Sequence, residues 1–365
     1  MKKIVLLAAA AMAVLVSCGP KAMFSGNIAG VESGMLMFVS DSDAGEMVMD
    51  TVYLDKGNFS YTPPVTDKGI LMIVDIDHFI DYISLCVVPD EYCVINGTMT
   101  DYTVTGSKFW KDWGVFHEMS KDNAAALREL RASIPVEEDP DYDMAAYSAR
   151  EREISKEWND IAMDYIRKYP DSDVSAYLAR EITDVEYFYE AEEIISDRVK
   201  EGKLGYLIEQ KALLIDGEAL RQASEKNIFE GAEAPDFTLK TATGEMFTLS
   251  DCRGRYVMLD FWGTWCGWCV EGLPNVKEIA HRYKDKLTVV SVDCGDSEKA
   301  WLAGVEKYGM DWTQVYNSKA DAIDSKYAVQ GYPGFYLIDP EGKIKMIAFG
   351  EPAHFVEKIG ELISE

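Results

Sequence analysis

Residues 261–269 read Phe-Trp-Gly-Thr-Trp-Cys-Gly-Trp-Cys, between the apolar run Tyr256-Val257-Met258-Leu259 and a helix-competent run, Val270 to Tyr283. A short apolar run of this kind is a buried strand, and the residues after it carry a helical pattern. The two cysteines, spaced by two residues, therefore fall where a strand hands over to a helix N-terminus. That placement demands an α/β unit around the corner and makes the pair a redox-active dithiol.

The chain has 365 residues, so two or three domains are expected. Its hydrophobic content of 48%, with 12% aromatics, is ample for packed cores and argues against disorder. The formal charge is −27, and most of it lies upstream of residue 231. Such a charge repels phosphate backbones, which excludes nucleic acid as a partner.

The N-terminus reads as a processing signal. Lys2 and Lys3 form a basic start, Ile4 to Val16 an apolar stretch too short for a comfortable membrane span, and Leu15-Val16-Ser17-Cys18 its end. The segment resembles a bacterial lipoprotein signal: residues 1–17 are removed and Cys18 is lipid-modified. An ordinary secretory signal beside a cysteine is the alternative. Either way the mature chain is expected outside the cytoplasm, where dithiols need dedicated enzymes to set their redox state. No acidic run follows Cys18 to mark surface export, which points to the periplasmic face of the envelope.

Residues 23–105 show short β-branched and aromatic runs about ten residues apart, among them Gly34 to Val39, Met47 to Leu54, Ile70 to Val74 and Ile83 to Val88. They predict a small antiparallel β-sandwich or barrel without ligand clusters. Residues 106–230 turn helical: Trp110, Trp113, Phe116 and Met119 recur at helical spacing. Long helices are expected over Tyr142 to Tyr169, Val174 to Tyr189 and Leu204 to Ala223, as a spacer packing against one or both neighbours. A boundary near Glu230-Gly231 opens a third unit, residues 231–365.

In that unit Ala234-Pro235-Asp236-Phe237 enters an extended segment, and Leu287 to Val292 follows the first helix as a parallel strand, giving a βαβ unit. Ser297 to Tyr308 and Lys319 to Tyr327 read as helices, Phe335 to Ile338 and Ile344 to Phe349 as a hairpin, and Ala353 to Ile363 as a closing element. Four elements together resemble the thioredoxin superfamily, specifically the TlpA/ResA-like envelope thiol–disulfide oxidoreductases with an AhpC/TSA-Redoxin-type domain. They are the Ala-Pro-Asp-Phe entry, Trp-Cys-Gly-Trp-Cys, Gly331-Tyr332-Pro333 before a strand, and Asp260 six residues ahead of Cys266. The fold class expected is multidomain: an N-terminal antiparallel β-sandwich or barrel, a helical middle and a C-terminal α/β thioredoxin fold. The upstream part loosely resembles domains of unknown function that precede thioredoxin modules in envelope proteins.

The resemblance implies roles. Cys266, at an exposed helix N-terminus where free N–H groups and the helix dipole favour a thiolate, attacks a substrate disulfide. Cys269, one turn on, resolves the mixed disulfide. Asp260 is the buried acid that takes its proton, with a pKa raised by desolvation. Pro333 is the cis-proline beside the dithiol, and the backbone of Tyr332 presents to substrate. Trp262 and Trp265 wall the site, and Trp268 stands with Gly267 where relatives carry Gly-Pro and tune the potential. A glutamate common three residues after the second cysteine is replaced by Gly272, and Glu271 is expected to face elsewhere, whereas Pro274 keeps the usual helix kink.

Four other cysteines remain. Cys86 and Cys93 flank Val88-Pro89-Asp90-Glu91; a hairpin there would set them opposite each other, and a structural disulfide or two free thiols are both open. Cys252 and Cys294 fall at opposite ends of neighbouring parallel strands, roughly 20 Å apart at about 3.3 Å per residue, and cannot pair.

The function expected is a lipid-anchored oxidoreductase that reduces or exchanges disulfides in exported proteins. Its partners are disulfide-containing envelope proteins, an upstream membrane thiol–disulfide reductant and the membrane itself; no cofactor is implied. A peroxidase is an alternative, but Gly263 stands where a peroxidatic site would place threonine. A binding or scaffolding lipoprotein with a secondary redox module is another. With four histidines and no second CxxC, zinc is poorly supported.

Overall fold

The computed structural model describes residues 23–32, 34–41, 47–66, 69–76, 82–135, 142–350 and 358–363. The signal segment 1–17, Cys18 and the start of the C-terminal element lie outside the described residues. Among the described residues, no helix is long and apolar enough to cross a membrane.

Eight strands come first: β1 (Phe24–Ile28), β2 (Gly34–Asp41), β3 (Met47–Tyr53), β4 (Asn58–Tyr61), β5 (Ile70–Asp75), β6 (Tyr82–Cys86), β7 (Cys93–Gly97) and β8 (Tyr102–Gly106). They form two four-stranded sheets, ordered β4-β1-β7-β8 and β3-β2-β5-β6. Alternation makes the layers: β4 buries Phe59 and Tyr61, and β6 buries Ile83 and Leu85, with the residues between them exposed. The pairing is not wholly antiparallel, because β1 runs parallel to β7. At Gly26 a Cβ would stand 1.7 Å from the Ile95 carbonyl oxygen, so only glycine fits there. Residues 87–92 carry the chain from β6 in one sheet to β7 in the other. No hairpin therefore joins β6 to β7, and of the two open outcomes Cys86 and Cys93 are free thiols.

Six helices follow: α1 (Lys108–Ala132), α2 (Met144–Lys168), α3 (Asp173–Glu181), α4 (Val185–Ile194), α5 (Asp197–Lys200) and α6 (Gly205–Ser224). The stretch read as one helix from Val174 divides into α3 and α4. Asp184 caps α4 by accepting from Tyr187 N, and Asn159 of α2 accepts from the Thr183 backbone N–H, holding the break open. The aromatic stripe of α1 faces inward. Trp110 meets Phe24 of β1 at 6.0 Å, Phe116 meets Tyr165 of α2 at 5.8 Å, and Trp113 meets Tyr177 of α3 at 5.1 Å. The sheets and helices thereby share one continuous core.

The remaining elements are β9 (Thr238–Thr241), β10 (Met246–Thr248), β11 (Tyr256–Trp262), α7 (Gly267–Arg282), β12 (Leu287–Cys294), α8 (Glu298–Lys307), β13 (Thr313–Asn317), α9 (Ile323–Lys326), β14 (Gly334–Ile338) and β15 (Ile344–Phe349); residues 358–363 are helical. The sheet order is β10-β9-β13-β12-β11-β14-β15, with β11, β12 and β13 parallel and β14 antiparallel to β11. This is the multidomain architecture expected, ending in an α/β thioredoxin-type sheet. β13 was not read from the sequence, and the helix expected from Lys319 shrinks to the four residues of α9. The two halves touch where α6 meets α9: a Cβ on Gly217 would lie 3.4 Å from Ser325 Oγ.

Candidate active site

β11 lies inside the sheet between β12 and β14, and six of its seven residues are buried. At its carboxyl end Gly263-Thr264-Trp265 turns the chain into α7. The turn is held from the β12 side. Asp296 accepts from Thr264 N at 2.7 Å and from Thr264 Oγ1 at 2.6 Å, while Trp265 Nε1 donates to the Cys294 carbonyl at 2.7 Å. A Cβ on Gly263 would fall 2.4 Å from Trp265 Nε1, so the glycine makes room for the folded-back indole.

Cys266 is the N-cap of α7 in an extended conformation, and its sulfur accepts from Cys269 N at 3.1 Å. It thus receives one of the orphan N–H groups that every helix start leaves over. Cys266 and Cys269 form a disulfide with Cα atoms 5.2 Å apart. Cys266 is only 6% exposed and Cys269 3%, so the expected exposed thiol is covered in this oxidised state, because both pack with Trp262, Leu273, Trp301 and Met310. Trp262 is fully buried beneath the pair and does not wall the rim, which falls to Trp265 and Trp268, 55% and 72% exposed. Glu271 is exposed and Gly272 buried, as expected of that helix face.

The Tyr332–Pro333 peptide bond is cis. Its loop lies beside the dithiol turn: the Tyr332 and Trp265 rings meet edge to face at 5.2 Å. Tyr332 Oη donates to Asp324 at 3.0 Å, and the Pro333 carbonyl accepts from Gly350 N at 2.9 Å. Burial raises the Tyr332 phenol well above its ordinary range, so it stays protonated.

Asp260 is 1% exposed and shares a sheet face with Trp262, two residues on, which packs against both cysteines. Burial pushes its carboxyl up to about 7, while a 2.7 Å bond from Ser291 Oγ pulls the other way. Ser291 itself accepts from Trp312 Nε1 at 2.9 Å. Sequence reasoning missed Ser291 and Trp312, because Ser291 meets Asp260 only through the β11–β12 register.

It also missed Asp293, which follows on the same face of β12, opposite Trp262. The strand expected over Leu287 to Val292 stops one residue short of it, whereas β12 runs on to Cys294. Asp293 is fully buried, and burial first, then the Asp296 carboxyl beside it, pushes it up to about 10. Burial therefore favours its neutral form.

Cys294 is buried and its thiol raised well above the ordinary value by burial, which makes it inert; Cys252 is a free thiol too. Among the described residues no cluster of His, Cys, Asp or Glu could hold a metal ion.

A dithiol closed at the mouth of a helix, on a mixed sheet whose central strand buries an acid, belongs to the thioredoxin class of oxidoreductases. Comparison with known proteins agrees. The AhpC/TSA family model matches residues 231–347. Thioredoxin-like protein YneN of Bacillus subtilis is 38% identical over 129 residues, covering 34% of this chain and 75% of that protein. Thiol–disulfide oxidoreductase ResA of Bacillus subtilis is 33% identical over 129 residues, 35% of this chain and 72% of its own. Among solved structures, the thioredoxin domain of a thiol–disulfide oxidoreductase from Bacteroides vulgatus matches with TM-score 0.36 and 28% identity, covering 37% of this chain and 99% of that one. The chain belongs to the TlpA/ResA-like family of thioredoxin-fold thiol–disulfide oxidoreductases, through its C-terminal unit.

Proposed function

We propose that this protein is a lipid-anchored envelope oxidoreductase that reduces or exchanges disulfides in exported proteins through Cys266 and Cys269. In the reduced enzyme the Cys266 thiolate attacks one sulfur of a substrate disulfide. The new S–S bond joins Cys266 to substrate, and the other substrate sulfur leaves as a thiolate. Asp260 takes the proton from Cys269, whose thiolate attacks the Cys266 sulfur. The second substrate thiolate leaves, the Cys266–Cys269 bond closes, and two electrons have passed to the substrate. A dithiol donor at the membrane reverses the last bond and restores the enzyme.

The observation that carries the proposal is the pairing of an N-cap sulfur, met by Cys269 N, with an acid on the same sheet face whose pKa is pushed up to about 7. A base with a pKa near ambient pH is best matched to thiol deprotonation. Trp265, Trp268 and the Tyr332-Pro333 backbone form the substrate rim, and Cys18 carries the acyl chains that hold the enzyme at the periplasmic face.

The test is disulfide reduction by the soluble chain with dithiothreitol as electron donor. Cys266→Ser is expected to abolish turnover, and unchanged turnover would refute the dithiol mechanism. Cys18→Ser in cells is expected to move the protein from the membrane to the soluble envelope fraction; persistence at the membrane would refute the anchor.

A further inference from the structure

A cleft of about 1520 Å³ separates the N-terminal sheets and helices from the dithiol unit, and Thr264 and Trp265 of the dithiol turn lie in its wall. That volume exceeds the roughly 300–1,000 Å³ of small-molecule pockets, and the exposed indole makes it continuous with the redox site. The far wall carries Ile70 and Tyr206, which remain 41% and 38% exposed.

The charge of the cleft runs against that of the chain. With a formal charge of −27, the protein still points Arg180, Lys307 and Lys319 into this one space. Arg180 is partly offset by Glu181 at 3.4 Å. Neither Lys307 nor Lys319 has an ion-pair partner among the described residues, although the Lys307 ammonium lies 5.2 Å from the Tyr308 ring centroid. Asp296 is the one carboxylate among the described lining residues, and both its oxygens are engaged by Thr264. Cations converging in a partly enclosed space focus a positive field.

We infer that this cleft receives an acidic, extended polypeptide segment adjoining the substrate's disulfide, so that the N-terminal half selects substrates for the dithiol. The inference rests on the oxidoreductase reading for its context but concerns binding alone. The apolar wall takes side chains of the segment, Lys307 and Lys319 take its carboxylates, and Trp265 marks where the chain passes to the sulfurs.

Binding and chemistry are tested separately. The full chain carrying Cys266→Ser and Cys269→Ser is titrated calorimetrically with two peptides that share one disulfide loop and differ only in flanking Asp/Glu or Lys residues. The acidic peptide is expected to bind at least about tenfold tighter at an ionic strength of about 0.02 M, with the margin shrinking towards about 0.5 M as the charges are screened. Lys307→Glu with Lys319→Glu is expected to invert the preference, an outcome that misfolding cannot produce. Equal affinities, or an acidic preference that survives the double reversal, would overturn the inference. Failure of the unsubstituted chain to reduce a small neutral disulfide would instead strike the oxidoreductase reading and leave the binding result standing.

Discussion

The Ser291 hydroxyl donates a 2.7 Å hydrogen bond to the Asp260 carboxylate across the central pair of parallel strands, and Trp312 Nε1 in turn donates to Ser291 at 2.9 Å. The pair sets two opposing forces on one proton. Burial favours the neutral acid, and the hydroxyl favours the carboxylate.

Removing the hydroxyl therefore shifts the balance in a known direction. In Ser291→Ala the Asp260 pKa is expected to rise further, since burial is left unopposed. A lost bond of about 1 kcal/mol corresponds to a shift of about 0.7 pH units, upward, in the profile of the Cys269 step. Rapid-mixing kinetics across pH check this. A downward shift, or none, would mean that Asp260 does not govern that step.

Asp260 should also cost stability. Its folded-state pKa of about 7 lies above the unfolded value of about 3.9. Below that lower value both states hold the proton and nothing is lost. As pH rises from about 4 to about 7 the unfolded chain ionises first, so folding becomes less favourable; above about 7 the penalty is constant. Three pH units correspond to roughly 4 kcal/mol, so Asp260→Asn is expected to stabilise the C-terminal unit by about 2–4 kcal/mol at pH 8 and hardly at all at pH 4. Urea unfolding at the two pH values measures it, and equal effects at both would refute the assignment.

The fold was legible where one physical rule dominated. The β11-to-α7 corner, the α1 aromatic stripe and the β14–β15 hairpin follow from apolar periodicity and turn residues. Asp260 and Pro333 came from the motif, and the structure places Asp260 in the core and Pro333 in a cis peptide bond. What stayed hidden depends on pairing across the sheet. Ser291 acquires a role only when β12 lies in register with β11, and Asp293 only when that strand extends past Val292. The free Cys86 and Cys93 thiols follow from a sheet-to-sheet crossing that six intervening residues could equally have spent on a hairpin. The shared core of the β-sheets and α1–α6 is a tertiary fact with no local signature.

Trp265 ties the rim to the turn through its 2.7 Å bond to the Cys294 carbonyl and its edge against Tyr332. Trp265→Ala removes both along with an exposed apolar surface. It is expected to raise KM for a protein disulfide by about tenfold, the loss of roughly 1.4 kcal/mol of binding, with a smaller effect on kcat. Steady-state kinetics on a protein disulfide decide it, and a fall in kcat at constant KM would assign Trp265 to the chemistry instead.

The division of labour among Cys266, Cys269 and Asp260 is tested most directly by following both half-steps in Asp260→Ala at neutral pH. Mixed-disulfide formation and its resolution are read in one rapid-mixing and acid-quench experiment against the unsubstituted chain. The expected result is near-normal attack by Cys266 and resolution by Cys269 slowed by about 10²-fold or more, with the mixed disulfide accumulating. Equal slowing of both steps, or resolution at the unsubstituted rate, would contradict the role of Asp260 as the proton acceptor for Cys269.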